Sequence, residues 1–170
     1  MAGNPALWSD VQRDLSLAKN HCAGAASLAK RLRSGKPAFD EQCRSAMEES
    51  AGLKLQYCYS AIENAIDTLV MAVDGSRPIG EGFHTRLIAR AASSVPKLRP
   101  AMISEATATD LHALKDFRHV VRHLYDRSFD YGKAEPNIEV AKRTVVQIGK
   151  ELAAFAKTMK IIGDEPSGRD

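Results

Sequence analysis

Apolar residues recur at alternating steps of three and four along most of the chain, the spacing that lines one face of a helix. Trp8, Val11, Leu15, Ala18, Cys22, Ala25, Ala29 and Leu32 form one continuous seam of this kind. Asn4 is placed to cap that helix, and Pro5 suits its first position, where a missing N–H needs no partner. Gly35 and Pro37 stop it. A second long helix is predicted from near Asp40 to near Val73. Phe39, Cys43, Ala46, Leu53 and Tyr57 give its first apolar stripe, and Ile62, Ile66, Leu69 and Val73 give a second, slightly rotated one. The run Asp74-Gly75-Ser76-Arg77-Pro78 ends it. A short third helix carries Leu87, Ile88, Ala91, Ala92 and Val95, with Pro96 and Pro100 at its exit. A fourth follows Thr109, with Leu111, Leu114, Phe117, Val121 and Leu124 as its core stripe. The last begins at Pro136 and holds its seam from Ile138 through Ala141, Val145, Ile148, Leu152, Phe155 and Met159 to Ile162.

No strand-like alternation and no internal repeat interrupt this pattern. The prediction is an all-α, up-and-down helical bundle of four to five helices, one domain over residues 1–170 with a helical core at 5–162 and a polar tail at 163–170. Aromatic residues make up only 6% of the chain, which favours helix packing over a sheet core. Seams this regular also suit packing across a two-fold axis, so a homodimer is expected.

Charge and cysteine content narrow the classes further. A net charge of +3 permits nucleic-acid binding without demanding it, because a basic footprint counts only where it is local. Cys22, Cys43 and Cys58 are an odd number without CxxC spacing; the expectation is small buried residues in a reducing compartment. The first residues lack the pattern of a secretory signal, and no apolar run approaches the ~20 residues that span a bilayer. A cytoplasmic protein without membrane contact is expected.

The chemistry concentrates on the fourth helix, in Asp116-Phe117-Arg118-His119-Val120-Val121-Arg122-His123-Leu124-Tyr125-Asp126. Phe117, Val121 and Leu124 face the core. Arg118, Arg122 and Tyr125 share the stripe at its border, and His112, Asp116, His119 and His123 lie roughly opposite. Solvated histidines, and arginines paired with Asp116, Asp126 or a neighbouring helix, are one account of this face. A metal site is another: His119 and His123 point the same way, with Asp116 or His112 one turn earlier as a third ligand. Metal-independent RNA cleavage is a third. It needs a group that moves a proton at a ribose 2′-hydroxyl or a leaving 5′-oxygen, and histidine changes charge near neutral pH. It also needs a fixed cation beside the phosphate, which arginine supplies as a bidentate fork. Arg118 and His123 provide both parts, but five residues set them about 140° apart on a straight helix. The pair therefore favours a site shared between two copies across a dimer cleft.

Arg118-x4-His123-x-Tyr125 resembles the Arg-x4-6-His signature of HEPN ribonucleases, and more narrowly the Arg-x4-His-x-Tyr motif of HepT-like toxins. The segments Tyr57–Asn64 and Gly82–Ile88 also resemble HepT-like counterparts, so the likeness covers most of residues 5–162. The resemblance implies a HEPN fold and a homodimeric endoribonuclease toxin that cleaves RNA, tRNA among the candidates, without a metal or other cofactor. Carried over by position, Arg118 contacts the phosphate, His123 transfers a proton and His119 is the auxiliary polar residue. The implied partner is a minimal nucleotidyltransferase antitoxin that attaches AMP to Tyr125. Arg122 stands where HepT-like motifs often carry an apolar residue, and it reads equally as a phosphate contact or an ion-pair residue. Glu63 reads either as a residue that orients the motif or as a surface carboxylate. Two alternatives accompany the enzyme: a non-catalytic HEPN protein-interaction module, and a histidine-based metal-binding bundle.

Overall fold

Asn4 accepts a hydrogen bond from the Leu7 amide at 3.1 Å through its side chain, and Pro5 opens the first helix, α1 (Pro5–Ser34). Gly35 closes it in the left-handed conformation at φ 60°, which returns its N–H to the Arg31 carbonyl. The second helix, α2 (Glu41–Asp74), starts on Asp40, whose carboxylate accepts from the Cys43 amide at 2.7 Å. Then come α3 (Phe83–Ala92), α4 (Glu105–Arg122) and α5 (Tyr131–Thr158). The computed structural model describes residues 3–35, 38–122 and 130–162, with side chains omitted for 119–122. Among them there are five helices, one isolated β-bridge between Val95 and Arg99, and no strand. The all-helical expectation is met. No helix among these residues is long and apolar enough to cross a membrane.

The α1 seam is buried as its spacing predicts, from Val11 to Leu32, and packs along α2. On the first half of α2 the predicted stripe is wrong. Cys43, Ala46, Leu53 and Tyr57 are exposed, and the buried face is Met47, Ala51, Gly52, Leu55 and Cys58. Small residues let α1 and α2 approach closely here; a Cβ placed on Gly24 would come within 2.9 Å of the Lys54 side chain. Cys22 and Cys58 are buried free thiols, but Cys43, on the outer side of the first turn of α2, is exposed. From Ile62 onward the predicted and observed faces agree.

Two helix starts also differ from expectation. α4 begins at Glu105 instead of after Thr109, because the Ser104 hydroxyl accepts from the Thr107 amide at 3.2 Å. α5 begins at Tyr131, so Pro136 lies inside it. The proline has no N–H to return to the Gly132 carbonyl four residues back, so one bond of the helix ladder is missing there. α5 closes the bundle against α1, α2 and α4, and α3 bridges α2 and α4.

The junction of α2, α3 and the following loop is fixed by buried charge. Asp74, the last residue of α2, accepts from Arg99 Nε at 2.6 Å and Nη2 at 3.0 Å, and from Arg90 Nε at 2.6 Å. Arg99 also donates to the Ser93, Pro100 and Arg90 carbonyls at 2.8, 3.0 and 2.9 Å. Burial alone would raise the Asp74 pKa, but the hydrogen bonds from Arg99 and Arg90 outweigh it and hold the carboxyl below its ordinary range. This joint ties the end of α2 to the last turn of α3 and to the loop that follows it.

Candidate functional site

Tyr59 and Glu63 are one turn apart on α2 and share a buried face. A buried carboxylate is costly unless it is paired and hydrogen-bonded. Glu63 meets that requirement from three helices. The Tyr59 hydroxyl donates to Glu63 Oε1 at 3.0 Å. His84, the second residue of α3, directs Nδ1 onto the same oxygen. Arg118 of α4 brings Nη1 to 3.6 Å from Oε2, an ion-pair separation too long for a good hydrogen bond.

Arg118 is closer to the histidine than to the carboxylate. Its Nη1 lies 2.9 Å from His84 Nε2 and 3.3 Å from Nδ1. So close to both ring nitrogens, Nη1 sits over the face of the imidazole and not in line with the Nε2 lone pair. The Glu63 carboxylate only accepts, so Nδ1 carries the proton and donates to it, with Tyr59 as the second donor. The guanidinium also sits 5.9 Å from the centre of the Tyr59 ring, within cation–π range. Burial pushes the Tyr59 phenol up, and the neighbouring Glu63 carboxylate pushes it further. Tyr59 therefore stays protonated and serves as a donor.

Exposure grades across the cluster. The Glu63 side chain is 10% exposed, Arg118 18% and His84 37%. Arg118 Nε is buried without a partner among the described residues. Solvent or a ligand thus meets His84 and the edge of Arg118 first, while Glu63 and Tyr59 lie beneath. Beside them Lys115 donates to Thr85 Oγ1 at 3.1 Å and pairs with Asp116, whose side chain points outward. On the other side of Glu63, Asn64, Asp67, Arg77 and Phe83 help line an open depression of about 380 Å³.

The structure thus brings two of the sequence-predicted residues together, Glu63 and Arg118. Glu63 is not a surface carboxylate, and Arg118 pairs with neighbouring helices instead of with Asp116. His123 and Tyr125 lie outside the described residues, as do the side chains of His119 and Arg122, and with them the predicted histidine pair for a metal. Among the described residues, no three His, Cys, Asp or Glu side chains are grouped to hold a metal ion. His84 is the residue that sequence reasoning missed. It lies one turn before Leu87 and Ile88, on the face of α3 that those residues bury, and its partners are 21 and 34 residues away. That spacing and its place in the Gly82–Ile88 segment were the signals.

Residues 50–159 match the family model described as HepT-like protein, a span that contains Tyr59, Glu63, His84 and Arg118. No curated protein and no solved structure matches the chain.

Proposed function

The chain belongs to the HepT-like family, and from that premise we propose that it is an endoribonuclease toxin of the HEPN type, cleaving RNA without a metal. The observation that carries the reading is the seating of Arg118. Its guanidinium is held by His84 and Glu63 at the rim of the cluster, with its buried Nε unpartnered among the described residues. A cation fixed in this way costs little reorganisation when charge builds on a phosphate. In the proposed reaction Arg118 binds the scissile phosphate and His123 transfers a proton. Glu63 positions the arginine, and His119 and Arg122 assist at the RNA backbone. Two copies of the chain form the cleft. A nucleotidyltransferase antitoxin silences the site by attaching AMP to Tyr125, whose added phosphate charge repels RNA and occupies Arg118.

Incubation of the purified protein with total RNA tests this reading. Cleavage is expected in excess EDTA, and it should be lost in Arg118→Ala and His123→Ala while both variants stay folded. Cleavage that disappears with chelator and returns with a divalent ion would instead favour the histidine metal site. The inward contacts of Arg118 also suit a structural ion pair, which favours the alternative of a HEPN interaction module. Intact RNA after incubation with unmodified, partner-free protein would select that alternative.

A further inference from the structure

Cleavage through a neighbouring 2′-hydroxyl requires two proton movements, one off the attacking oxygen and one onto the leaving oxygen. The reading above, on which this inference rests, gives His123 one of them. We propose that His84 performs the other: its Nε2 is the general base that takes the 2′-hydroxyl proton, with Arg118 over the ring beside it to hold the phosphate.

Three observations carry this assignment. His84 is the most exposed member of the cluster, so an RNA sugar can reach it while Glu63 and Tyr59 stay beneath. Its Nδ1 is committed to Glu63, which fixes the tautomer with the Nε2 lone pair outward and prepares the ring to carry positive charge. Arg118 Nη1 lies over the ring, 2.9 Å from Nε2 and 3.3 Å from Nδ1, which leaves the line of the Nε2 lone pair open among the described residues. A guanidinium bonds a phosphate more strongly than a neutral imidazole, because both partners are then charged and the fork engages two oxygens. Arg118 can therefore hold the phosphate while Nε2 meets the neighbouring sugar hydroxyl.

The step balances without a co-reactant. Nε2 takes the proton of the 2′-hydroxyl, the 2′-oxygen bonds to phosphorus, the bond from phosphorus to the 5′-oxygen breaks, and the 5′-oxygen takes a proton from His123. A 2′,3′-cyclic phosphate and a 5′-hydroxyl result. The groups that bear on His84 are Glu63 and Tyr59 from α2 and Arg118 from α4, with Lys115 held on the adjacent Thr85; the Phe83 ring meets its edge at 5.3 Å.

The test compares wild type, His84→Asn, His84→Gln, His123→Ala and Arg118→Ala on two RNA oligonucleotides, one ordinary and one with sulfur bridging phosphorus to the 5′-carbon. A thiolate leaves without being protonated, so this substrate bypasses the acid but not the base. His84→Asn retains a donor for Glu63, and His84→Gln places its amide near Nε2. Both are expected to melt like wild type, to lose about 10²–10⁴-fold in kcat/KM on both substrates, and to lose the acidic limb of the rate–pH profile. His123→Ala should recover on the sulfur substrate. Three results overturn the proposal while leaving the ribonuclease reading intact. These are His84 variants within severalfold of wild type, retention of the acidic limb, and rescue of the His84 variants by sulfur, which would make His84 the acid. If wild type and Arg118→Ala alike leave RNA whole, the ribonuclease reading fails and this inference with it.

Discussion

Glu63 and Asp74 sit eleven residues apart on α2, and each anchors a buried cluster of charge built to a different tolerance. At Asp74 both carboxylate oxygens meet arginine at hydrogen-bond distance, and Arg99 directs its remaining donors onto three backbone carbonyls. The Asp74 and Arg99 side chains are fully sealed from solvent. At Glu63 one oxygen carries two donors, the other lies 3.6 Å from Arg118, and that arginine keeps a buried Nε unpartnered among the described residues. The first is a finished joint. The second leaves a donor unused and its histidine partly exposed, where a ligand can compete for the contacts. Burial of charge therefore does not by itself mark a site; incomplete satisfaction beside an opening does.

The sharpest way to break this contrast is to remove Arg99. Arg99→Ala leaves the buried Asp74 carboxylate with Arg90 alone and three carbonyls without their donor, and a loss of about 3–5 kcal/mol is expected in urea denaturation. The melting temperature should fall by about 10 °C. A loss below about 1 kcal/mol would mean that the joint is not sealed as described. Glu63→Gln should behave oppositely. Its stability cost is expected near 1 kcal/mol, while RNA cleavage falls about 100-fold as Arg118 and His84 lose their seat. Parallel melting and kinetics decide this, and a stability loss equal to that of Arg99→Ala would erase the distinction between the clusters.

Acid separates them further. The folded Asp74 carboxyl titrates below its unfolded value of 3.8, so its ion pairs stabilise fully above that pH. The contribution is lost as pH falls below 3.8 and through the folded value. Denaturation followed from about pH 5 to about pH 2 should show a slope that is shallower in Asp74→Asn. The smallest effect is expected outside both clusters, at the exposed pair between Arg143 of α5 and Asp110 of α4. Arg143→Ala should leave the melting curve unchanged within error, because an exposed pair is screened by solvent.

The long seams of α1 and α5 were readable because each keeps one unbroken three-four spacing of apolar residues. The first half of α2 was not. There the buried face includes Ala51 and Gly52, residues too small to stand out, while Leu53 and Tyr57 look like core and are exposed. The start of α4 depended on one serine hydroxyl, a cap that apolar spacing does not register. Arg118 was legible as part of a spaced motif and Glu63 as an acid near a shift in the apolar stripe. His84 was not, because its meaning comes from the packing of α3, which brings its second residue against α2 and α4. Spacing marks the face it shares with Leu87 and Ile88, but not partners 21 and 34 residues away.

The independence of the two clusters on α2 bears on how such a protein can change over generations. The Asp74 joint shares no side chain with Glu63, Tyr59, His84 or Arg118, so replacing one set leaves the partners of the other in place. A lineage can lose or retune its chemistry at the rim while inheriting the same architecture intact. Among descendants, the shape of the bundle can then outlast the Glu63–His84–Arg118 constellation.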